Sequence, residues 1–283
     1  MNPQLTISEL LEQSSSLISP PKTYLALKKA IASPSTNFED LSTLISRDPV
    51  IAVRVLKVAN SAMFSFSGRI NTIDRALSLI GTQQLTQLVL ATEVLCAFKD
   101  INCEIVSLEQ FWRHSIGCAV SARVLAQYKR EYDIEAFFLM GLLQGLGRLL
   151  LFCHLPETQK TLLDAHTNQK NTLYTLETKQ YGFTPDSLGA ALTEKWHLPE
   201  EISETIAHHH CPLSSKKHSY SAAMTHVADW LTHGMQLGFN GDKIMPKLDE
   251  SAWGLTGIPE SALENIVNEI DRQYSDTASQ LIH

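Results

Sequence analysis

Residues 136–153 read AFFLMGLLQGLGRLLLFC, and the fold turns on whether this stretch crosses a membrane or lies in a protein core. A span needs about 20 mostly apolar residues, and this stretch approaches that. Its middle, however, holds Gln144, Arg148 and three glycines, Gly141, Gly145 and Gly147. A charged side chain is costly in lipid, and glycine weakens a helix interior. The stretch is therefore expected to be a buried core helix, broken near its middle, with no membrane insertion.

Outward from it, helix punctuation is frequent and strand alternation nearly absent, which predicts an all-α fold. Upstream, Leu108 to Tyr128 puts Phe111, Ser115, Ala119, Ala122 and Ala126 on one face, suited to close helix contact. Downstream, helices are expected over Leu173 to Tyr181, Asp186 to Trp196, and from Pro199 to the run His208-His209-His210. A further helix holds Ala222 to Leu231. Nearer the N-terminus, Thr6 with Glu9 and Thr36 with Glu39 have the form of capping boxes. Asp48-Pro49 is a start signal, Asn60 a left-handed stop, Asn71 with Asp74 another start, and Gly81 a stop.

The 283 residues suffice for two lobes, and 44% hydrophobic with 19% charged residues is ordinary for a globular protein. A net charge of -7 and the lack of a Lys/Arg run argue against a nucleic-acid partner. The five cysteines are scattered and form no Cys-x-x-Cys, so no disulfide framework is implied. Met1-Asn2-Pro3-Gln4 shows no basic and apolar leader, and the expected location is the cytoplasm. Trp112 and Trp196 are expected to be core anchors.

Three adjacent histidines on a helix cannot face one ion, because successive residues diverge by about 100°. Their order with other groups says more: Trp112-Arg113-His114-Ser115, then Gly141 to Arg148, then His209-His210, then Val227-Ala228-Asp229. This order resembles the HD superfamily of metal-dependent phosphohydrolases, in which an early His, a His-Asp pair, later His residues and a final Asp converge on one or two metals. The closer resemblance is to the HDOD family, the HD-related output domains, from about Ile18 to about Leu231. It rests on Asp48-Pro49, Val58-Ala59-Asn60-Ser61, Ala62-Met63-Phe64 and Ile80-Gly81 in one half. In the other it rests on Phe111 to Ser115, Gly141-Leu142-Leu143, Gly182-Phe183, Lys195-Trp196, Leu198-Pro199 and His209-His210.

Against the catalytic pattern, Gln144 and Gly145 stand where the His-Asp pair would be, and Pro185 replaces a further metal-binding His of the cyclic-dinucleotide branch. Cys211-Pro212-Leu213 follows the paired histidines in place of Gly-Tyr-Pro. The resemblance thus implies a scaffold without catalytic residues, metal or cofactor, in which His114, Gln144, Gly145, Pro185, His209, His210 and Asp229 line a vestigial pocket. The survivors form either a satisfied polar network or a pocket for a nucleotide or a single ion.

The domain organisation expected is an N-terminal helical lobe over 1–105, an HD-like lobe over 106–234 and a helical extension over 235–283, forming a terminal helix over the second lobe. The function implied is bacterial signal transduction through signalling-protein partners. Asn60, Ser61, Met63, Phe64 and Phe66 form the candidate interaction surface, with inter-lobe packing as the plainer reading. The alternatives are a small-molecule or nucleotide sensor using the pocket, and a metal-dependent phosphohydrolase with an atypical site.

Overall fold

In the computed structural model, residues 5–14, 19–99, 101, 103–168 and 171–282 are described. Met1–Gln4, read for a leader, and Ile18, where the resemblance begins, lie outside them. The chain opens with α1 (Ile7–Ser14), α2 (Lys22–Ile31), α3 (Phe38–Ser46), α4 (Pro49–Ala59), α5 (Ile73–Ile80) and α6 (Thr82–Ala97). It continues through α7 (Leu108–Lys129), α8 (Ile134–Leu143), α9 (Leu146–His154), α10 (Pro156–Asn168) and α11 (Leu173–Tyr181). Then come α12 (Pro185–Lys195), α13 (Glu200–His208), α14 (Ser219–Gly234), α15 (Glu250–Thr256) and α16 (Leu263–Ile282). No strand occurs among the described residues, and the fold is all-α.

The helix starts show which local signals dominate. At α1, Thr6 and Glu9 exchange bonds as a capping box, Thr6 N–H donating to Glu9 Oε2 at 2.8 Å. At α4, Asp48 accepts from the N–H groups of Val50 and Ile51, with Pro49 at the first helical position. Two starts are shifted by one residue from expectation: Asn37 with Asp40 boxes α3 in place of Thr36 with Glu39, and Thr72, not Asn71, caps α5. Asn60 ends α4 without entering the left-handed region (φ −93°). Helix α2, begun by Pro21 without a side-chain cap, borrows one: the N–H groups of Thr23 and Tyr24 donate to Glu93 of α6, both at 2.8 Å.

The helices fall into two compact units, residues 1–18 with 101–267, and residues 19–100 with 268–283. This differs from a division at 105 and 234. Helix α1 belongs with the larger unit, where Lys195 Nζ donates to Leu11 O (2.9 Å) and Ser14 Oγ lies 2.8 Å from His154 Nε2. The 235–283 segment is split. Its end belongs with α2–α6, where Arg54 donates to Leu281 O and Asp276 accepts from Ala62 N–H at 2.7 Å.

In the larger unit the apolar stretch is a buried helix pair, α8 and α9, interrupted at Gln144-Gly145. Helix α7 lies so close to α8 that a Cβ on Gly141 would sit 2.8 Å from Ala119 Cα. Helix α9 meets α12 through Gly147 and Gly189 in the same way, with a Gly147 Cβ 2.6 Å from Gly189 N. Trp196 and Trp112 are buried, as are the small residues of the α7 face. These approaches fix the backbone that carries the polar residues described next.

Candidate functional site

The larger unit encloses two polar groupings at the positions read from the sequence. In the first, His114 and Cys118, one turn apart on α7, face Asp229 of α14. His114 Nε2 lies 3.0 Å from Asp229 Oδ1, and the Cys118 thiol donates to the same oxygen at 3.3 Å. Gln144 Nε2 reaches Cys118 Sγ at 3.6 Å, His233 Nδ1 stands 3.5 Å from Asp229 Oδ2, and Asn240 Nδ2 is 3.2 Å from His114 Nε2. In the second grouping, His210 Nδ1 lies 2.8 Å from Asp186 Oδ2 and its ring stacks on Tyr174 at 4.0 Å. His209 Nδ1 donates to Ile206 O at 2.9 Å and stands 3.7 Å from Asp186. His208, by contrast, turns away and bonds Ser214.

Burial drives the electrostatics. It pushes Asp229 up, but the charge and hydrogen bonds of His233 and His114 outweigh it and hold this carboxyl well below the usual range. Burial lowers His114, against the pull of Asp229, and lowers His209 to about 4 against that of Asp186. Asp186 itself is raised to about 6 by burial, opposed by His209 and Arg148. His233 is raised, its burial more than offset by Asp229. At neutral pH Asp229 is thus ionised beside His233, while His114 and His209 are neutral. A buried ion pair, Arg148 Nε to Glu177 Oε2 at 3.0 Å with Gln159 on the other carboxylate oxygen, closes the floor.

The sequence reading missed Cys118, Asp186, His233 and Asn240 as members of these groupings. The spacing His114, Cys118 and the spacing Asp229, His233 are both i,i+4, so each pair shares a helix face, and that signal was available. Asn240 sits in the irregular segment after α14, where periodicity says nothing. The structure brings His114, Gln144 and Asp229 together, and His209 with His210. Pro185 is instead the first residue of α12, packed against Gly147, and it places Asp186 one residue further on.

Each of two donor triads could hold an ion, but position 145 offers no carboxylate to bridge them. The triads, His114, Cys118, Asp229 and Asp186, His209, His210, each have ligand atoms within 4.8 Å of one another. Nothing of the right chemistry joins them at 145. Gly145 has no side chain, and a Cβ there would stand 3.1 Å from Phe111 Cζ and 3.7 Å from Phe111 Cε1. Phe111 is fully buried, edge-on to Trp112 and Phe152. The space an aspartate side chain would need to start from is crowded by an aromatic ring. The cavity lined by Gln144, Arg148, His210, Asp229 and His233 measures about 30 Å³, room for a water-sized occupant. A wider groove of about 440 Å³ is lined by His114, His233 and residues between 234 and 245.

The candidate interaction surface is only partly a surface. Met63 and Ser61 are buried, and Asn60 is spent on the backbone, its Oδ1 accepting from Ile70 N–H and its Nδ2 donating to Ile70 O, both at 2.7 Å. Phe64 and Phe66 stack at 5.8 Å, and Phe66 is 37% exposed. The outward-facing part is that stack.

Comparison with known proteins agrees with this architecture. A Shewanella amazonensis SB2B protein provisionally named a phosphohydrolase superposes with a TM-score of 0.76 at 24% identity, covering 96% of this chain and 97% of that one. A Geobacter sulfurreducens HDOD domain protein of unknown function gives 0.75 at 21%, covering 94% and 97%. A Marinobacter aquaeolei VT8 protein provisionally named for signal transduction gives 0.71 at 20%, covering 96% of this chain and 61% of that one. At these identities the likeness is one of fold. An uncharacterised Treponema pallidum (strain Nichols) protein is 27% identical over 191 residues, 67% of this chain and 37% of that protein, so the chain matches little more than a third of this relative's length. The HDOD domain pattern itself matches residues 17–212, taking in the whole of α2–α6 and the polar residues from His114 to His210 but stopping short of Asp229, His233 and Asn240, and on that ground the chain belongs to the HDOD family.

Proposed function

We propose that the chain is a non-catalytic signalling protein of the bacterial cytoplasm, which acts by contact with other signalling proteins and uses its HD-like half as a scaffold. The observation that carries this reading is the Phe111 ring against Gly145. A phosphohydrolase of the HD type needs a carboxylate there to hold its ions, and in this chain the position is a glycine whose added Cβ would meet the Phe111 ring at 3.1 Å. Of the remaining donors, His114 bonds Asp229 and His210 bonds Asp186 as buried polar pairs, while Nε2 of His209 and Nε2 of His233 are buried without a hydrogen-bond partner among the described residues. Six of the eleven exposed large apolar side chains among the described residues, Ile31, Phe38, Val50, Val53, Phe66 and Leu79, lie in the smaller unit, which favours that unit as the contact surface.

The test is turnover. With added Mn²⁺, Fe²⁺ or Mg²⁺, cyclic dinucleotides, nucleoside phosphates and simple phosphoesters stay at background rates. Hydrolysis that disappears in both His114→Ala and Asp229→Ala would establish the enzyme instead. The 440 Å³ groove beside His114 favours one second reading, a small-molecule sensor, since pockets of about 300–1,000 Å³ hold such ligands. Adenosine monophosphate that shifts the resonances of residues 233–245 would support it.

A further inference from the structure

The smaller unit contains a cavity unconnected with the HD-like residues. It measures about 820 Å³ and lies between α4 and the loop from Asn60 to Asn71, with Gln280 of α16 at its edge. Its walls are apolar where Val53, Leu56 and Phe66 line it. The charged lining residues are Lys57 and Arg69, both cationic, and neither makes an ion pair among the described residues. Asp276 of α16, bonded to Ala62 and Gln280 of the lining, accepts from the Ala62 N–H at 2.7 Å and from Gln280 Nε2 at 3.5 Å.

The loop that forms the cavity is braced from several directions. Asn60 ties its two ends together through Ile70, and Ser65, at φ +50°, donates to Ala62 O at 2.8 Å. Gly68, at φ +105°, makes the turn that L side chains resist. Within this frame stands Ser61, 3% exposed, whose buried Oγ has no hydrogen-bond partner among the described residues. Leaving a buried hydroxyl unmatched costs stability unless something else uses it. A built loop, an unmatched hydroxyl, two free cations and apolar walls occur together in one cavity of ligand size.

We infer that this cavity is a binding site for a small organic anion of about nucleotide size. A phosphate or carboxylate group meets Lys57 and Arg69, an aromatic or aliphatic body lies on Val53, Leu56 and Phe66, and a polar atom of the ligand pairs with Ser61 Oγ. The site belongs to α2–α6 and does not depend on the HD-like half or on any metal. In a signalling protein it supplies an input next to the surface proposed to meet partners, with which it shares Val53 and Phe66.

The test uses the full chain, isotopically labelled, titrated with 1-naphthyl phosphate, 1-naphthoate, 1-naphthol and inorganic phosphate while amide shifts are followed. Naphthyl phosphate or naphthoate shifts the amides of residues 57–71, with a Kd on the order of 1 mM for ligands of this size. The stronger of the two identifies the anionic group. Naphthol and inorganic phosphate bind at least about tenfold more weakly, since each lacks half of the recognition. Lys57→Gln with Arg69→Gln lowers the affinity about tenfold at an unchanged melting temperature. Ser61→Ala weakens binding while melting at or above wild type, because it removes an unmatched hydroxyl. The inference is overturned if neither anion shifts these amides, if naphthol binds as tightly as the anions, or if the double charge variant binds like wild type. Shifts of the same amides with protein concentration alone would overturn it too, assigning the cavity to a second copy of the chain.

Discussion

Replacing Gly145 by alanine should destabilise the protein, although in an open helical position the same change is favourable. Gly145 has helical torsions (φ −84°, ψ −2°), and substituting alanine for glycine at such a position ordinarily gains about 0.4–1 kcal/mol. Here the added Cβ meets Phe111 Cζ at 3.1 Å, a few tenths of an ångström inside ordinary contact. The ring cannot turn aside cheaply, since it is fully buried and packed edge-on to Trp112 and Phe152. Overpacking of this kind costs about 1–3 kcal/mol, which exceeds the backbone gain. A net loss of about 1–2 kcal/mol follows, and aspartate, which is larger and charged, loses more. Urea unfolding of wild type, Gly145→Ala, Phe111→Leu and the double variant gives the coupling between the two sites. The double variant should recover part of the Gly145→Ala loss. If Gly145→Ala is as stable as wild type or more so, the space is open and Phe111 does not bar a larger side chain from position 145.

Gly147→Ala should be worse, losing about 3 kcal/mol or more, since its Cβ meets the backbone of Pro185 and Gly189, which cannot swing away; calorimetry decides, and a neutral result would mean that α9 and α12 slide freely. Glu177→Gln should lose about 3–5 kcal/mol by leaving Arg148 buried without its partner charge, and an unchanged urea midpoint would contradict that. His209→Gln tests the pH dependence. The folded-state value of His209, about 4, lies below its ordinary 6.5, so its contribution is present above pH 6.5 and fades as pH falls toward 4. The stability gap between variant and wild type should therefore narrow by about 2 kcal/mol from pH 7 to pH 5. Asp186, raised to about 6, has the opposite sign and gains as pH falls, so the unmodified protein shows a flatter acid limb than the variant comparison. A gap independent of pH would show that His209 is not buried as a neutral ring. Phe66→Asp should abolish capture of the native partner without moving the melting temperature; a collapsed melt would make Phe66 core.

The helical class and the break at Gln144-Gly145 were legible because they depend on local chemistry. A glycine and a polar residue in an apolar run, Asp48 before Pro49, and Thr6 three residues before Glu9 each act within one turn of chain. The one-residue slips at α3 and α5 arise where two adjacent residues, Thr36 and Asn37 or Asn71 and Thr72, are both able to cap, and packing of the helix that follows selects between them. Met63 was read as a surface anchor and is buried, because nothing local reports which way a loop folds back.

In the polar site, His114, His209, His210 and Asp229 were legible from order and spacing, and the loss at 144 and 145 from comparison with a pattern. What replaced the lost pair was not. Asp186 enters only because α12 lies against α9 at Gly147, and Asn240 because the chain returns to His114 after α14. Both depend on contacts far apart in sequence. The 820 Å³ cavity was hidden for a related reason: Asn60 and Ser61 were visible as residues, but that one would brace the loop and the other be left unmatched follows only from the fold.

The central claim, a scaffold that has given up its metal centre, is met most directly by the metal content of the protein purified without chelator. Inductively coupled plasma mass spectrometry should find iron, manganese and zinc well below one equivalent per chain. One or two equivalents that vanish when His209 and Asp229 are both replaced by alanine would contradict the account.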